Sequence, residues 1–171
     1  MKIEELTNRV SKNGLFRTGQ ILSGYSQPAH VRRQLDRWVK SGRVLQLRRG
    51  VYLLQKPFVS SDVHPFAVAN AIKKTSYVSL QSALAHYGMI PEYVPVTTSV
   101  TTGRPEELDT SIGHFQFRHI SSSRLFGFTE TEVAPDQPAL IASSQKALVD
   151  LLYLTPHSDD IDYLRELRLH E

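Results

Sequence analysis

Nine side chains between Gln27 and Arg49 have the types and spacing to recognise a nucleic acid: Gln27, His30, Arg32, Arg33, Gln34, Arg37, Lys40, Arg48 and Arg49. Arginine can donate two parallel hydrogen bonds to a guanine edge, glutamine can both donate to and accept from adenine, and lysine or arginine can neutralise a phosphate. His30, Arg33, Gln34, Arg37 and Lys40 fall on one face of a helix that starts near Ala29, with Arg32 to one side. On this reading Arg33, Gln34 and Arg37, with Gln27 and His30 at the start of the helix, face the major groove. Arg32, Lys40, Arg48 and Arg49 hold phosphate, with one arginine of the Arg48-Arg49 pair reaching toward the minor groove. Asp36 is the only acid on this helix, and its first turn contains no carboxylate, so the N–H groups and positive dipole end there are expected to suit a phosphate.

These side chains need a scaffold, and the surrounding pattern predicts one. Val31, Leu35, Trp38 and Val39 recur at i, i+4, i+7 and i+8, a single apolar stripe opposite the cationic face, and Gly42 ends the helix. Ser26 is expected as its N-cap, and Pro28 is tolerated in its first turn. Upstream, Ile3, Leu6 and Val10 have helical spacing, with Asn13-Gly14 as the stop. Thr18–Gly24 fits a second short helix. Downstream, two β-prone runs, Val44–Leu47 and Val51–Leu54, flank Arg48-Arg49-Gly50, a hairpin signal with arginines at its tip. Helix, helix, basic helix and hairpin, in that order, predict a winged helix-turn-helix.

The charge distribution agrees. Residues 1–56 carry twelve Lys/Arg and three Asp/Glu, a balance of +9, whereas residues 57–171 carry eight against fourteen, or −6. A basic first third joined to an acidic remainder is an electrostatic footprint for nucleic acid on one side only. The sign changes near Pro57, where Gln55–Asp62 reads as a joint, so the expected organisation is a DNA-binding domain over 1–56 and a second domain over 57–171. Zero cysteines exclude disulfides, cysteine–zinc sites, iron–sulfur clusters and thiol catalysis. No apolar run is long enough for a membrane span, and acids near the N-terminus do not match a signal peptide, so a cytoplasmic protein without a membrane partner is expected.

The second part predicts a small α+β domain with a mixed sheet. Helices are expected at Pro65–Lys74, Ser79–Gly88, Ser143–Leu154 and Ile161–Leu169. Strands are expected at Val94–Thr101, His114–Ile120 and Phe126–Val133. Catalysis is not expected. His64, His86, His114, His119 and His157 lack metal-ligand spacing with nearby acids, and no Gly-x-x-x-x-Gly-Lys phosphate loop occurs. Ser79, Ser82 and His86 share a helix face, yet no Gly-x-Ser-x-Gly turn presents a nucleophile, so the serines read as capping and helix-surface residues. Glu106-Glu107 and Asp159-Asp160 read as loop or cap residues, and Gly103-Arg104-Pro105 as a polar loop leaving a strand. No metal and no cofactor is expected.

Four segments together resemble a known family. They are Gly42-Arg-Val-Leu-Gln-Leu-Arg-Arg-Gly-Val-Tyr52, Tyr77-Val-Ser-Leu-Gln-Ser-Ala-Leu-Ala-His-Tyr-Gly-Met-Ile-Pro91, Val96–Thr102 with Gly103-Arg104-Pro105, and Ile141-Ala-Ser-Ser-Gln-Lys-Ala-Leu-Val-Asp-Leu-Leu152. In order and spacing they resemble the AbiEi antitoxins of type IV (abortive-infection) toxin–antitoxin systems. The resemblance implies an N-terminal winged helix that represses its own operon by binding repeats in double-stranded promoter DNA. It also implies a C-terminal domain that counteracts a toxin with a nucleotidyltransferase fold. Two other readings stay open at this level: a solitary winged-helix transcriptional regulator, and a protein-interaction module without specific DNA binding. No heptad seam commits the chain to a dimer.

Overall fold

The computed structural model describes residues 2–23, 27–158 and 160–169. By internal contacts the chain divides into two units, one of residues 1–64 with Ala134–Gln137, the other of Pro65–Val133 and Pro138–Glu171.

The first unit runs α1 (Ile3–Thr7), β1 (Leu15–Arg17), α2 (Thr18–Leu22), α3 (Pro28–Lys40), β2 (Val44–Arg48) and β3 (Val51–Leu54). The three strands form an antiparallel sheet in the order β1-β3-β2. The expected long first helix stops at Thr7, where the Thr7 hydroxyl donates to the Ile3 carbonyl (3.0 Å). Beyond it, Asn13 Oδ1 accepts from Ser11 Oγ (2.6 Å) and from the Leu15 amide (3.1 Å). Short polar side chains that bond locally compete with helix in this way. Val10 lies outside α1 but packs against the core. Strand β1 was not anticipated. It is three residues long, and only Phe16 buries, stacked on Tyr52 with ring centroids 5.6 Å apart.

The second unit contains α4 (Pro65–Ile72), β4 (Ser76–Val78), α5 (Leu80–His86), β5 (Val96–Thr101), β6 (Glu106–Thr110), β7 (Gly113–His119), all but the last residue of β8 (Phe128–Ala134), all but the first of β9 (Gln137–Ala142), α6 (Ser144–Leu154) and α7 (Ile161–Glu166). Its six strands lie in the order β6-β7-β5-β4-β9-β8. β5 pairs parallel with β7 and antiparallel with β4, and β4 pairs parallel with β9, so the sheet is mixed. The expected α+β architecture holds, but the sheet is twice as wide as the sequence suggested: β4, β6 and β9 are additional. Glu106-Glu107 therefore belongs to an edge strand and not to a loop. An edge strand needs no apolar alternation, and charge there discourages wrong pairing.

α5 packs on β5 and α6, and two polar clusters lock this arrangement. Ser82 Oγ donates to the Val96 carbonyl (2.9 Å) and accepts from the Thr98 amide (2.8 Å), while Thr98 Oγ1 donates to the Ser79 carbonyl (2.8 Å). Asp150, on the inner face of α6, accepts from Tyr77 Oη (2.9 Å), Ser79 Oγ (2.8 Å) and Lys146 Nζ (2.6 Å). All four residues of this second cluster are buried. Ser79 thus does not cap α5 with its hydroxyl, as the sequence suggested, but spends it on Asp150.

Leaving one buried charge without its partner costs about 3–5 kcal/mol. Asp150→Ala is expected to destabilise the protein by about that much in urea melts followed by circular dichroism. A Lys146→Met/Asp150→Leu pair, which removes both charges, should recover most of the loss. Burial pushes the Tyr77 phenol up from its ordinary value, and the Asp150 carboxylate adds to the push. The folded protein then holds a proton that the unfolded chain releases. This contribution is complete below about pH 10, the ordinary tyrosine value, and is lost as pH rises above it. Tyr77→Phe should flatten the fall of stability above about pH 10 in alkaline unfolding titrations.

Candidate nucleic-acid interface

The interface is built on how α3 is seated. Val31, Leu35 and Trp38 are buried, and together with Ile3, Leu6, Phe16, Ile21, Val44, Tyr52 and Leu54 they form the core of the first unit. Val39 packs against this core only in part. The stripe fixes the rotation of α3, and the residues opposite it are thereby turned to solvent. Gln27, His30, Arg32, Arg33, Arg37 and Lys40 are exposed, and Gln34 is half-buried. No ion pair ties Arg32, Arg37 or Lys40 to a carboxylate among the described residues. Arg33 Nε lies 3.5 Å from the Ala29 carbonyl, a bond at the limit of useful length.

The two ends of α3 behave differently. Gln27 occupies the N-cap position and makes no side-chain cap bond. The expected cap, Ser26, lies outside the described residues. Pro28 contributes no N–H, and the His30 amide donates to the Gln27 carbonyl (3.1 Å). The N-terminal turn therefore offers fewer N–H groups to a phosphate than the sequence implied, and the side chains carry more of the burden. At the other end, the Gly42 amide bonds to the Val39 carbonyl and the Arg43 amide to the Trp38 carbonyl, a Schellman closure. It requires Gly42 at φ +71°, a conformation that side chains other than glycine rarely adopt. Arg37 and Lys40 sit in the last turn, where the helix dipole favours cations.

The closure delivers the chain directly into β2 and the wing. Register shifts between Gln46 and Arg48, so the wing carries a bulge at Leu47. Strict alternation from Val44 would bury Gln46; the extra residue buries Leu47 instead and leaves Gln46 exposed. Arg48 then pairs opposite Val51, and Arg49-Gly50 forms the reversal, with Gly50 at φ +83°. Arg49 is exposed at this tip, without an ion-pair partner among the described residues. Arg48 is half-buried and already held by an interaction within the chain. The Thr18 amide donates to the Gly50 carbonyl (3.0 Å), which ties the wing turn to the start of α2.

Helices α1, α2 and α3 alternating with a three-stranded sheet, the third helix cationic and the hairpin tipped by arginine, define the first unit as a winged helix-turn-helix. Residues 4–55 match the family described as transcriptional regulator, AbiEi antitoxin. No curated protein matches the chain. No helix among the described residues is long and apolar enough to cross a membrane. Among the same residues, no cluster of three or more histidines and acids is placed to hold a metal ion.

Seating and display can be separated by mutation. Leu35→Ala should destabilise the first unit by about 2–5 kcal/mol, because it opens a cavity beneath α3. Arg33→Ala should leave stability within about 0.5 kcal/mol. Trp38 is the chain's only tryptophan and lies in this core, so its fluorescence in denaturant titrations checks both expectations.

Proposed function

We propose that the protein is a DNA-binding autorepressor and antitoxin of a type IV toxin–antitoxin system. The first unit binds repeats in its own promoter, and the second counteracts a nucleotidyltransferase-like toxin. The observation that carries this reading is the exposed row Arg33, Arg37 and Lys40 on a helix seated by its opposite face, beside an exposed Arg49 at the wing turn. The row lies in a segment that matches a family of transcriptional regulators.

In the proposed complex α3 enters the major groove. Arg33, Gln34 and Arg37, with Gln27 and His30 at its start, read or straddle base edges, and Arg32, Lys40, Arg48 and Arg49 hold phosphates. Such work needs neither a metal nor a cofactor, and it places the protein with its DNA in the cytoplasm. A solitary winged-helix regulator is the second reading, favoured by a family match that spans the first unit alone.

A gel-shift titration against the upstream promoter duplex, beside a scrambled duplex, tests the DNA half. About six neutralised phosphates should give a log–log slope of affinity against salt near −5. Arg33→Ala should reduce discrimination between the duplexes by about 1–3 kcal/mol, or about 5- to 150-fold. Arg49→Ala should weaken both duplexes alike and reduce the slope by about 1. Equal, feeble binding of both duplexes by the unaltered protein would instead make the winged helix a protein-interaction module. Rescue of growth when the chain is co-expressed with the product of the adjacent gene tests the antitoxin half.

A further inference from the structure

We propose that the second unit carries a docking groove for a basic, apolar segment of a partner polypeptide. This proposal stands independently of the DNA reading. The groove encloses about 500 Å³ and lies within the second unit, among the 91–95 segment, β5, the β6–β7 pair and the ends of α6 and α7. Its floor is apolar: Ile90 and Leu151 are buried beneath it, and Val94, Val96 and Leu167 are half-buried along its walls.

The rim has a single sign. Glu92, Glu107 and Glu166 are all exposed there, and no lysine or arginine lines the groove among the described residues. Glu107 accepts a hydrogen bond from Gln116 Nε2 (2.8 Å), a neutral donor that leaves its charge uncompensated. His114, which also lines the groove, is paired with Asp109, a further acid. The nearby cation Lys73 is committed to Glu106 (2.9 Å) on the same strand pair. Tyr93, between Glu92 and Val94, is 89% exposed, which leaves its ring free to cover a cation.

An apolar floor, a carboxylate rim and a free aromatic ring together match one ligand chemistry, a long aliphatic stem that ends in a positive charge. Lysine and arginine have that form: the stem buries and the head remains at the rim, stabilised by carboxylates and by the ring face. A polypeptide is favoured over a small cation by the wall of the groove. Glu107 belongs to β6, an edge of the sheet, where the ladder groups on one side have no neighbouring strand among the described residues. On this edge Glu107 is exposed and has no cation partner among the described residues, which disfavours an acidic strand and admits a basic one.

The test uses the full chain, labelled with ¹⁵N, and a synthetic eight-residue peptide of alternating leucine and lysine. Amide shifts should cluster at Glu92–Val94, Phe115 and Leu167. The triple variant Glu92→Gln/Glu107→Gln/Glu166→Gln should weaken binding by about tenfold or more, since all three carboxylates are exposed and their loss leaves the fold intact. Tyr93→Ala should weaken it by about two- to fivefold. The proposal is overturned if the shifts do not cluster at the groove, if a leucine–glutamate peptide binds as well, or if the triple variant keeps full affinity. It is also overturned if butylammonium alone binds as tightly as the peptide, which would make the groove a small-cation site.

Discussion

The rotational setting of α3 is the constraint on which the first unit depends. Successive helical residues are turned by about 100°, so a shift of one position would carry Arg32 or Asp36 into the core in place of Val31 or Leu35. Burying either charge without a partner costs several kcal/mol or more. The apolar stripe therefore determines what the opposite face displays, and the cationic row needs no contacts of its own to hold it outward. The Schellman closure at Gly42 then directs the chain into β2, and the bulge at Leu47 sets which residues of the wing are buried. Core, helix end and bulge act in sequence, each fixing the geometry of the next.

The second unit is organised by a different principle. A charged pair, Lys146 and Asp150, is buried between helix and sheet, with Lys146 on one carboxylate oxygen and Tyr77 and Ser79 donating to the other. A buried pair adds little net stability compared with apolar residues of the same shape, but it tolerates few alternative arrangements. It joins β4 and the start of α5 to α6, while the Ser82–Thr98 bonds join α5 to β5. The sheet edge and groove rim are then free to carry acids. The two units thus present opposite charge: a cationic helix suited to phosphate, and an acidic, apolar groove suited to a basic partner.

Much of the first unit was legible in the sequence. The stripe at Val31, Leu35 and Trp38 and the hairpin around Arg49-Gly50 follow from periodicity and turn chemistry, which are local properties. The elements that the sequence does not display are short or non-periodic. β1 and β4 have three residues each, too few to display alternation, and all of β4 is buried. β9 begins Gln-Pro, which resembles a turn more than a strand, and β6 is charged because it lies at an edge. Ser79 was read as a cap because the competing acceptor, Asp150, lies 71 residues away.

By itself the sequence determined the partition of charge, the order of elements in the winged helix and the cationic residues opposite the stripe of α3, because each depends on residue type and short-range spacing. Tertiary structure alone decided which strands pair, that Lys146 and Asp150 are buried together, and that glutamates from three separate segments gather around one apolar floor. Those outcomes depend on which distant surfaces exclude water from each other, and no local pattern encodes that choice.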